Sequence, residues 1–212
     1  MKGKVFFITG IDTNIGKTYA TALLANNFAA QGKRVITQKM IQTGCIDISE
    51  DIEKHRELQQ LPLLPEDKAG TTCPYLFTYP CSPHLAAEID GVTIDCNVIT
   101  QATEQLQADY EIVLLEGAGG LMVPIDHTQT TIDYVKACGY PIYLVTSAKL
   151  GSINHTLLSL YACKQYKIPV QGVIFNQNDS ADQLLSKSTV DYLQAYLHNN
   201  HPESEWIELP VM

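Results

Sequence analysis

The stretch VFFITGIDTNIGKT, residues 5–18, joins an apolar run to a glycine loop that ends in Gly-Lys-Thr. The run from Val5 to Ile8 has apolar residues on both faces, as a buried parallel strand does. The loop after Gly10 opens a helical pattern, and this strand–loop–helix context separates a real phosphate loop from a chance match. The backbone N–H groups and the positive helix end of such a loop attract phosphate oxygens. The sequence therefore predicts a phosphate-binding loop.

Two side chains at the end of this loop have the chemistry needed for a nucleoside triphosphate. Lys17 would reach the β- and γ-phosphates, and the Thr18 hydroxyl would bind Mg²⁺. Counted from Gly10, the loop is one residue longer than the G-x4-G-K-[ST] pattern, and Ile11 takes the usual first-glycine position. We therefore predict ATP with Mg²⁺ as cofactors, bound by a subfamily of phosphate loops.

The rest of the chain alternates strand-like apolar runs with helical patterns. Strands are predicted at 35–37, 112–115, 142–145 and 173–175, and helices at 17–31, 96–107, 131–138, 153–166 and 181–198. Gly32 and Gly139 stand where helices end. This alternation predicts an α/β fold of three layers, with a mainly parallel sheet flanked by helices, in a single domain over residues 1–212. The proline-containing segment 43–95 is expected to cover a substrate at one edge.

A second candidate site lies in IVLLEGAGG, residues 112–120. Glu116 at the end of a buried strand is placed to hold Mg²⁺, and the glycines after it let backbone N–H groups approach an anion. An ordinary turn after a strand is the alternative. Lys39, after the second strand, would add positive charge near the loop, although a solvated lysine is equally typical there. Lys17 and Lys39 are both expected at an exposed rim.

Composition excludes several classes of partner. The net charge is −9 and no run of Lys or Arg forms a stripe, so a nucleic acid would be repelled. No segment approaches membrane-spanning length, and membrane binding is not expected. The six cysteines form no CxxC pair, which is typical of reduced thiols. We therefore expect a cytoplasmic protein.

The ordered set of motifs resembles the dethiobiotin synthetase family of P-loop NTPase-like enzymes. The matching stretches are G-x-D-T-x-x-G-K-T at 10–18, K-x-x-x-[ST]-G at 39–44, S-P-H at 82–84, V-L-L-E-G-A-G-G at 113–120, K-L-G-x-I-N-H at 149–155 and Asn176. They cover most of the chain, and the order of the set is more specific than any single member.

The resemblance implies a reaction that spacing alone does not show. One amine of 7,8-diaminopelargonate would take up CO₂, supplied as CO₂ or bicarbonate, to form a carbamate. ATP would phosphorylate this carbamate to a carbamic-phosphoric anhydride. The second amine would then close the ring of dethiobiotin and release phosphate. The family also forms homodimers with sites at the subunit interface, so a homodimer is expected.

The resemblance also implies roles for particular residues. Thr13, Lys17 and Lys39 would be catalytic, with Lys39 on the carbamate and the transferred phosphoryl group. Substrate binding is expected from Thr43 and, across the dimer interface, from Gly151, Ser152 and Asn154. Mg²⁺ is expected on Thr18, Asp51 and Glu116, with Asp47 as a rival and helix capping as an alternative role for Asp51. The expected nucleotide-binding residues are Asn14, Ile15, Gly16, Lys17, Thr18, Tyr19, Asp51, Glu116, Gly117, Ala118, Gly119, Asn176, Gln177, Glu208, Leu209 and Pro210.

Departures from the family and rival classes bear on these expectations. Asn14 stands where the family commonly has Glu, and the chain ends soon after the expected purine contact, so the base is expected to be held loosely. A partitioning-type switch ATPase is disfavoured, because Asp12 occupies its characteristic lysine position. A cobyrinate-type amidotransferase is also disfavoured, because such proteins usually carry a glutaminase domain and 212 residues leave no room for one. A non-catalytic nucleotide-binding paralogue stays open, and turnover would separate it from an enzyme.

Overall fold

A six-stranded sheet between helices organises the computed structural model, which describes residues 2–179 and 182–210. A short 3₁₀ turn, Gln177–Asp179, follows β7. The other elements, in chain order, are β1 (Lys4–Gly10), α1 (Lys17–Ala30), β2 (Val35–Lys39), β3 (Gln42–Thr43), α2 (Glu50–Leu58), α3 (Pro65–Lys68), β4 (Leu76–Phe77), α4 (Pro83–Asp90), α5 (Cys96–Asp109), β5 (Ile112–Gly120), α6 (Thr131–Cys138), β6 (Ile142–Ser147), α7 (Ser152–Tyr166), β7 (Val170–Asn176), α8 (Gln183–Asn200) and β8 (Glu205–Leu209).

The strand order of the main sheet is β2-β5-β1-β6-β7-β8, and every neighbouring pair is parallel. All six strands therefore end at the same edge. The order reverses around β1, because the chain goes first to the β5 side and later to the β6 side. Ligands of open parallel sheets bind at such a reversal, beyond the carboxyl ends of the strands. The loop after β1 lies at this point.

Both faces of the sheet are buried, as the apolar runs predict. In β1, Val5 and Phe7 belong to one core cluster, whereas Phe6 and Ile8 belong to the other. This alternation follows from the two-residue period of a strand. Helix α1 packs in the second cluster, and α5, α6 and α7 contribute to the first. The predicted three-layer α/β architecture is confirmed.

The structure differs from the sequence prediction mainly in element lengths and in one strand. The strands extend beyond their apolar runs, because Gly10 and Gly120 still pair within the sheet. Strand β8 was not predicted. It is an edge strand in which only Leu209 is buried, so its apolar signal is weak. The predicted helix 181–198 begins at Ala181, outside the described residues, and the structure has α8 from Gln183 to Asn200.

The segment 43–95 contains more regular structure than its prolines suggested. It includes α2, α3, α4 and the small parallel pair of β3 and β4. The Ser49 hydroxyl accepts a hydrogen bond from Ile52 N–H and so caps the start of α2. Helix α2 packs on α1 and β2, which brings Asp51 in its first turn beside Thr18 at the start of α1.

Candidate active site

A cavity of about 750 Å³ lies at the carboxyl ends of β1, β2 and β5. Most of the predicted site residues line it: Thr13, Asn14, Gly16, Lys17, Thr18, Tyr19, Lys39, Thr43, Asp51, Glu116, Ala118 and Gly119. The other predicted residues lie outside this lining. They are Ile15, Gly117, Gly151, Ser152, Asn154, Asn176, Gln177, Glu208, Leu209 and Pro210.

The backbone of the glycine loop explains two of its residues. Gly16 has a φ of +99°, and a Cβ there would lie 2.6 Å from Asn176 Nδ2, so only glycine fits. Asn14 has a φ of +57°, in the left-handed region that asparagine tolerates better than most residues. The Ile15 side chain is buried in the core, and its carbonyl accepts a hydrogen bond from Asn176 Nδ2 at 2.9 Å.

Lys17 folds back over the loop and is buried. Its Nζ donates to the Asp12 carbonyl at 3.0 Å, and the residue is only 7% exposed. Burial, reinforced by the nearby charge of Lys39, lowers the pKa of Lys17 to about 8. Lys39 is also buried. The expectation that both lysines stand at an exposed rim is therefore wrong, because Lys17 folds onto the loop and Lys39 is drawn between two carboxylates.

Lys39 bridges two carboxylates. Its Nζ lies 2.5 Å from Asp51 Oδ2 and 2.9 Å from Glu116 Oε1, and it donates to the Gly117 carbonyl at 3.2 Å. Burial by itself would lower the pKa of Lys39, but Glu116 and Asp51 outweigh it and raise that pKa. Burial would likewise raise the pKa of Glu116, but Lys39 and a hydrogen bond from His55 hold it well below its usual range. Lys39 and Glu116 therefore remain charged in neutral solution.

Three oxygen-bearing side chains converge beside this ion pair. Thr18 Oγ1 lies 2.9 Å from Asp51 Oδ1 and 3.3 Å from Glu116 Oε1. Mg²⁺ takes hard oxygen ligands and is usually held by one or two carboxylates together with substrate phosphates. Within residues 2–179 and 182–210, no group of three or more His, Cys, Asp or Glu residues is arranged to hold a metal. The donor set of Thr18, Asp51 and Glu116 fits Mg²⁺ bound together with a nucleotide.

The two aspartates that the sequence offered as rivals occupy different places. Asp51 lies in the first turn of α2 and contacts both Thr18 and Lys39. Asp47 is exposed on the preceding loop and does not belong to the cavity lining. Helix capping, the alternative role for Asp51, is performed by Ser49.

Two site residues were missed by sequence reasoning. The Thr21 hydroxyl lies 3.0 Å from Glu116 Oε2, and His55 Nε2 lies 2.9 Å from the same oxygen. Thr21 follows Lys17 by one helical turn, and His55 follows Asp51 by one turn. Residues four apart share a helix face, so this spacing was the available signal.

A second group of predicted residues meets at the ends of β7 and β8. The Asn176 side-chain oxygen accepts from Asn178 N–H at 2.9 Å, and Gln177 Nε2 donates to Glu208 Oε2 at 2.6 Å. The Pro210 carbonyl accepts a hydrogen bond from the side-chain amide of Asn178, Nδ2, at 3.3 Å. The Leu209 side chain packs in the core beneath them. The expected purine-contacting residues are thus neighbours, on the far side of the glycine loop from Lys39.

The residues expected to bind substrate are divided between two places. Thr43 lines the cavity, as do Ser82 and Pro83. Gly151, Ser152 and Asn154 lie at the start of α7, outside the lining. Ser152 N–H donates to the Lys149 carbonyl and its hydroxyl lies 3.4 Å from Ser147 Oγ, whereas Asn154 is exposed.

No described helix is long and apolar enough to cross a lipid bilayer. The six cysteines are all unbridged.

Similar structures share the architecture. A putative plasmid partition protein from Borrelia burgdorferi bound to AMPPNP superposes with a TM-score of 0.57 at 12% identity, over 98% of this chain and 86% of that one. The pNOB8 ParA protein superposes with a TM-score of 0.58 at 16% identity, over 99% of this chain and 76% of that one. At such low identity the likeness shows the fold alone, which is that of P-loop NTPases.

Similarity in sequence is much higher to biosynthetic enzymes. The family model of an AAA domain matches residues 4–204. The ATP-dependent dethiobiotin synthetase BioD 2 of Haemophilus ducreyi is 55% identical over 205 residues, covering 97% of each chain. The ATP-dependent dethiobiotin synthetase BioD of Chlorobaculum tepidum is 51% identical over 93% of this chain and 82% of its own. The chain therefore belongs to the ATP-dependent dethiobiotin synthetases, a family of ligases.

Proposed function

We propose that this chain carboxylates 7,8-diaminopelargonate with CO₂ and closes its ring, using ATP with Mg²⁺ and releasing dethiobiotin, ADP and phosphate. The observation that carries this proposal is the meeting of Lys39 with Asp51 and Glu116 beside the glycine loop. It combines a phosphate-binding loop with charged groups suited to activating a carbamate. The enzyme names of the relatives agree with it.

The proposed chemistry has three steps. One amine nitrogen attacks CO₂ and loses a proton, which gives a carbamate. A carbamate oxygen attacks the γ-phosphorus of ATP, so the bond to ADP breaks and a carbamic-phosphoric anhydride forms. The second amine attacks the carbamate carbon, loses a proton and expels phosphate as the ring closes. This last step needs mainly proximity, because the second amine is held next to the activated carbon.

Charge neutralisation is the main task of the protein in the phosphoryl transfer. Lys17 and the loop amides near Thr13 bind the phosphates, and Lys39 orients the carbamate and stabilises the transferred group. Thr43 lines the same cavity and would hold the carbamate there. Mg²⁺ on Thr18, Asp51 and Glu116 would neutralise phosphate charge. Asn14, Gly16, Tyr19, Ala118 and Gly119 line the same nucleotide space, while Ile15 and Gly117 shape it through their backbones.

The adenine base is proposed to bind at the ends of β7 and β8. Asn176, Gln177 and Glu208 present amide and carboxylate groups there, and the Leu209–Pro210 backbone lies alongside. These polar groups can read the hydrogen-bonding edge of a purine. The Asn176 side chain also donates a hydrogen bond to the Ile15 carbonyl in the glycine loop. One side chain would therefore contact the base and support the loop that binds the phosphates.

We propose a homodimer in which α7 of one subunit faces the substrate of the other. Leu158 and Tyr161 on α7 and Leu150, two residues before this helix, are exposed apolar side chains, with Leu150 93% exposed. Apolar side chains that share one helix face and meet solvent favour burial against a second copy. Gly151, Ser152 and Asn154 at the positive end of α7 would then approach the tail carboxylate of the substrate.

We further propose that residues 1–212 form a single domain and that the protein works in the cytoplasm. All the proposed catalytic groups come from the edge of one sheet, which supports a single unit. Six unbridged cysteines agree with a reducing compartment. The net charge of −9 argues against a nucleic-acid partner.

The proposal is tested by incubating the purified protein with ATP, Mg²⁺, bicarbonate and diaminopelargonate. Dethiobiotin, ADP and phosphate are expected in equal amounts, with ATP preferred over CTP and GTP. ATP hydrolysis that does not depend on the diamine and yields no ring product would contradict the proposal. Binding of nucleotide without any turnover would instead identify a non-catalytic relative.

A further inference from the structure

The two carboxylate oxygens of Glu116 have different surroundings. Oε1 faces the cavity side, with Lys39 Nζ at 2.9 Å and Thr18 Oγ1 at 3.3 Å. Oε2 points the other way, with Thr21 Oγ1 at 3.0 Å and His55 Nε2 at 2.9 Å. Thr21, His55 and Glu116 are fully buried, so bulk water does not compete for these contacts. Oε2 is therefore held by groups outside the cavity lining, whereas the partners of Oε1, Lys39 and Thr18, line the cavity.

The chemistry of this contact assigns the donor. Glu116 is ionised and can only accept hydrogen bonds, so His55 Nε2 must carry a proton and donate it. Among the described residues none forms a hydrogen bond with His55 Nδ1. A buried polar atom without a partner costs free energy, and an apolar side chain would fill this space without that cost. The polar role of His55 in the folded protein thus lies in its contact with Glu116.

Thr21 and His55 are carried by two helices of the site. Thr21 belongs to α1, one turn after Lys17, and its hydroxyl also lies 2.8 Å from the Lys17 carbonyl. His55 belongs to α2, one turn after Asp51. The helices that supply two of the proposed metal ligands, Thr18 and Asp51, therefore also supply the two groups that orient the third. Partners behind a ligand commonly set its orientation and basicity.

We propose that His55 and Thr21 are positioning residues that hold Glu116 Oε2, so that Oε1 alone is directed to Mg²⁺. Without them only Lys39 and Thr18, both on Oε1, would restrain the carboxylate, which could then turn about its terminal bond, whose rotation is broad. The inference rests on the proposed role of Thr18, Asp51 and Glu116 as Mg²⁺ ligands.

The test measures Mg²⁺ binding to the protein–ADP complex by calorimetry, for His55→Leu and for Thr21→Val. Each variant is expected to weaken Mg²⁺ binding by about tenfold or more, as loss of groups behind a metal ligand typically does. ADP binding in the presence of EDTA should stay within about twofold, since neither side chain lines the cavity. His55→Gln and Thr21→Ser keep a donor and should recover most of the affinity.

Ile52→Val is the matched control, because Ile52 is buried on α2 and shortening it removes only a methylene. It should leave Mg²⁺ affinity unchanged. Thermal unfolding identifies any variant that does not fold, and Thr21→Val, which is nearly isosteric, tests the inference if His55→Leu fails to fold. Unchanged Mg²⁺ affinity in a folded His55→Leu or Thr21→Val protein would overturn the inference.

Glu116→Gln separates this inference from the proposed function. If Glu116→Gln weakens Mg²⁺ binding but the His55 and Thr21 variants do not, only the positioning role fails. If Glu116→Gln itself leaves Mg²⁺ binding unchanged, Glu116 is not a ligand, and both the metal assignment and the positioning role are wrong.

Discussion

Lys39 Nζ lies 2.5 Å from Asp51 Oδ2, although one residue ends a strand of the main sheet and the other begins a helix packed on α1. The same ammonium contacts Glu116, so a single cation serves two carboxylates in a buried place. Such a cation cannot be removed without leaving like charges close together, which is costly away from water. The proposed chemistry therefore depends on the packing of α2, because this helix brings Asp51 to Lys39.

Replacing Lys39 by alanine is expected to reduce kcat by on the order of 10²–10³, the range found when one group that stabilises a developing charge is removed. Turnover should be measured at saturating Mg²⁺, so that the metal partly compensates the two carboxylates. Lys2→Ala removes an exposed lysine paired with Glu104 and serves as control. Activity of a folded Lys39→Ala protein within about twofold of the original would remove Lys39 from the mechanism.

Asp51→Asn should raise the Mg²⁺ concentration needed for half-maximal activity by about tenfold, whereas Asp47→Asn should not change it. Asp51 contacts Thr18 and Lys39, and Asp47 is exposed on a loop outside the cavity lining. A Mg²⁺ titration of the activity of both variants makes the comparison. If only Asp47→Asn raised this Mg²⁺ concentration, Asp47 rather than Asp51 would be the metal ligand.

Asp67→Asn is expected to lower the free energy of unfolding by about 3–5 kcal/mol at pH 7, because it leaves the buried Arg56 without its charged partner. Arg56 Nε and Nη2 each donate to Asp67 at 2.8 Å. Burial alone would raise the pKa of Asp67, but Arg56 outweighs it and lowers that pKa below 3.8.

The pH dependence follows from this lowered pKa. The contribution of Asp67 is fully present above the unfolded pKa of 3.8 and is lost as pH falls through the lower folded value. The difference in the free energy of unfolding between the original protein and Asp67→Asn should therefore be smaller in acid. Urea unfolding at pH 7 and pH 3 measures this difference, and Glu104→Gln, at an exposed position, is the control. An equal difference at both pH values would contradict the prediction.

Asn14→Ala should be less stable than Asn14→Gly by about 1 kcal/mol, because the left-handed backbone disfavours a Cβ. Nucleotide affinity should follow the same order, since Asn14 lines the cavity. Gln60 has the same φ of 57° and lies outside the lining, so the Gln60→Ala and Gln60→Gly pair should differ in stability but not in nucleotide affinity. Equal stability of the two Asn14 variants in urea unfolding would show that backbone strain is not decisive there.

Tyr161→Glu is expected to convert the proposed dimer into monomers, because it places a charge on the apolar face of α7. Light scattering after size-exclusion chromatography measures the mass of the particle in solution. Tyr192→Glu, at an exposed position of α8, is the control and should leave the mass unchanged. A monomeric original protein, or a dimer that Tyr161→Glu does not disturb, would rule out this interface.

Local patterns were sufficient for most of the sheet but not for its edge. The strands around Phe7, Leu114 and Leu144 are apolar on both faces. Such continuous apolar runs predict strands even when the neighbouring strands are not known. Strand β8 pairs with β7 alone and keeps half-exposed residues such as Trp206, so its signal is close to that of a loop. In the segment 43–95, short helices and two-residue strands fall below the length at which periodicity is detectable.

The glycine loop, the strands beside it and the family motifs were predictable from sequence, because each depends on residues close together in the chain. The packing of distant segments was needed to show that Asp51 rather than Asp47 meets Thr18, and that Thr21 and His55 contact Glu116. It also buried Lys17 and Lys39, which had been expected at an exposed rim. These contacts join residues far apart in sequence, and they form only because α1 and α2 pack together at the end of β5.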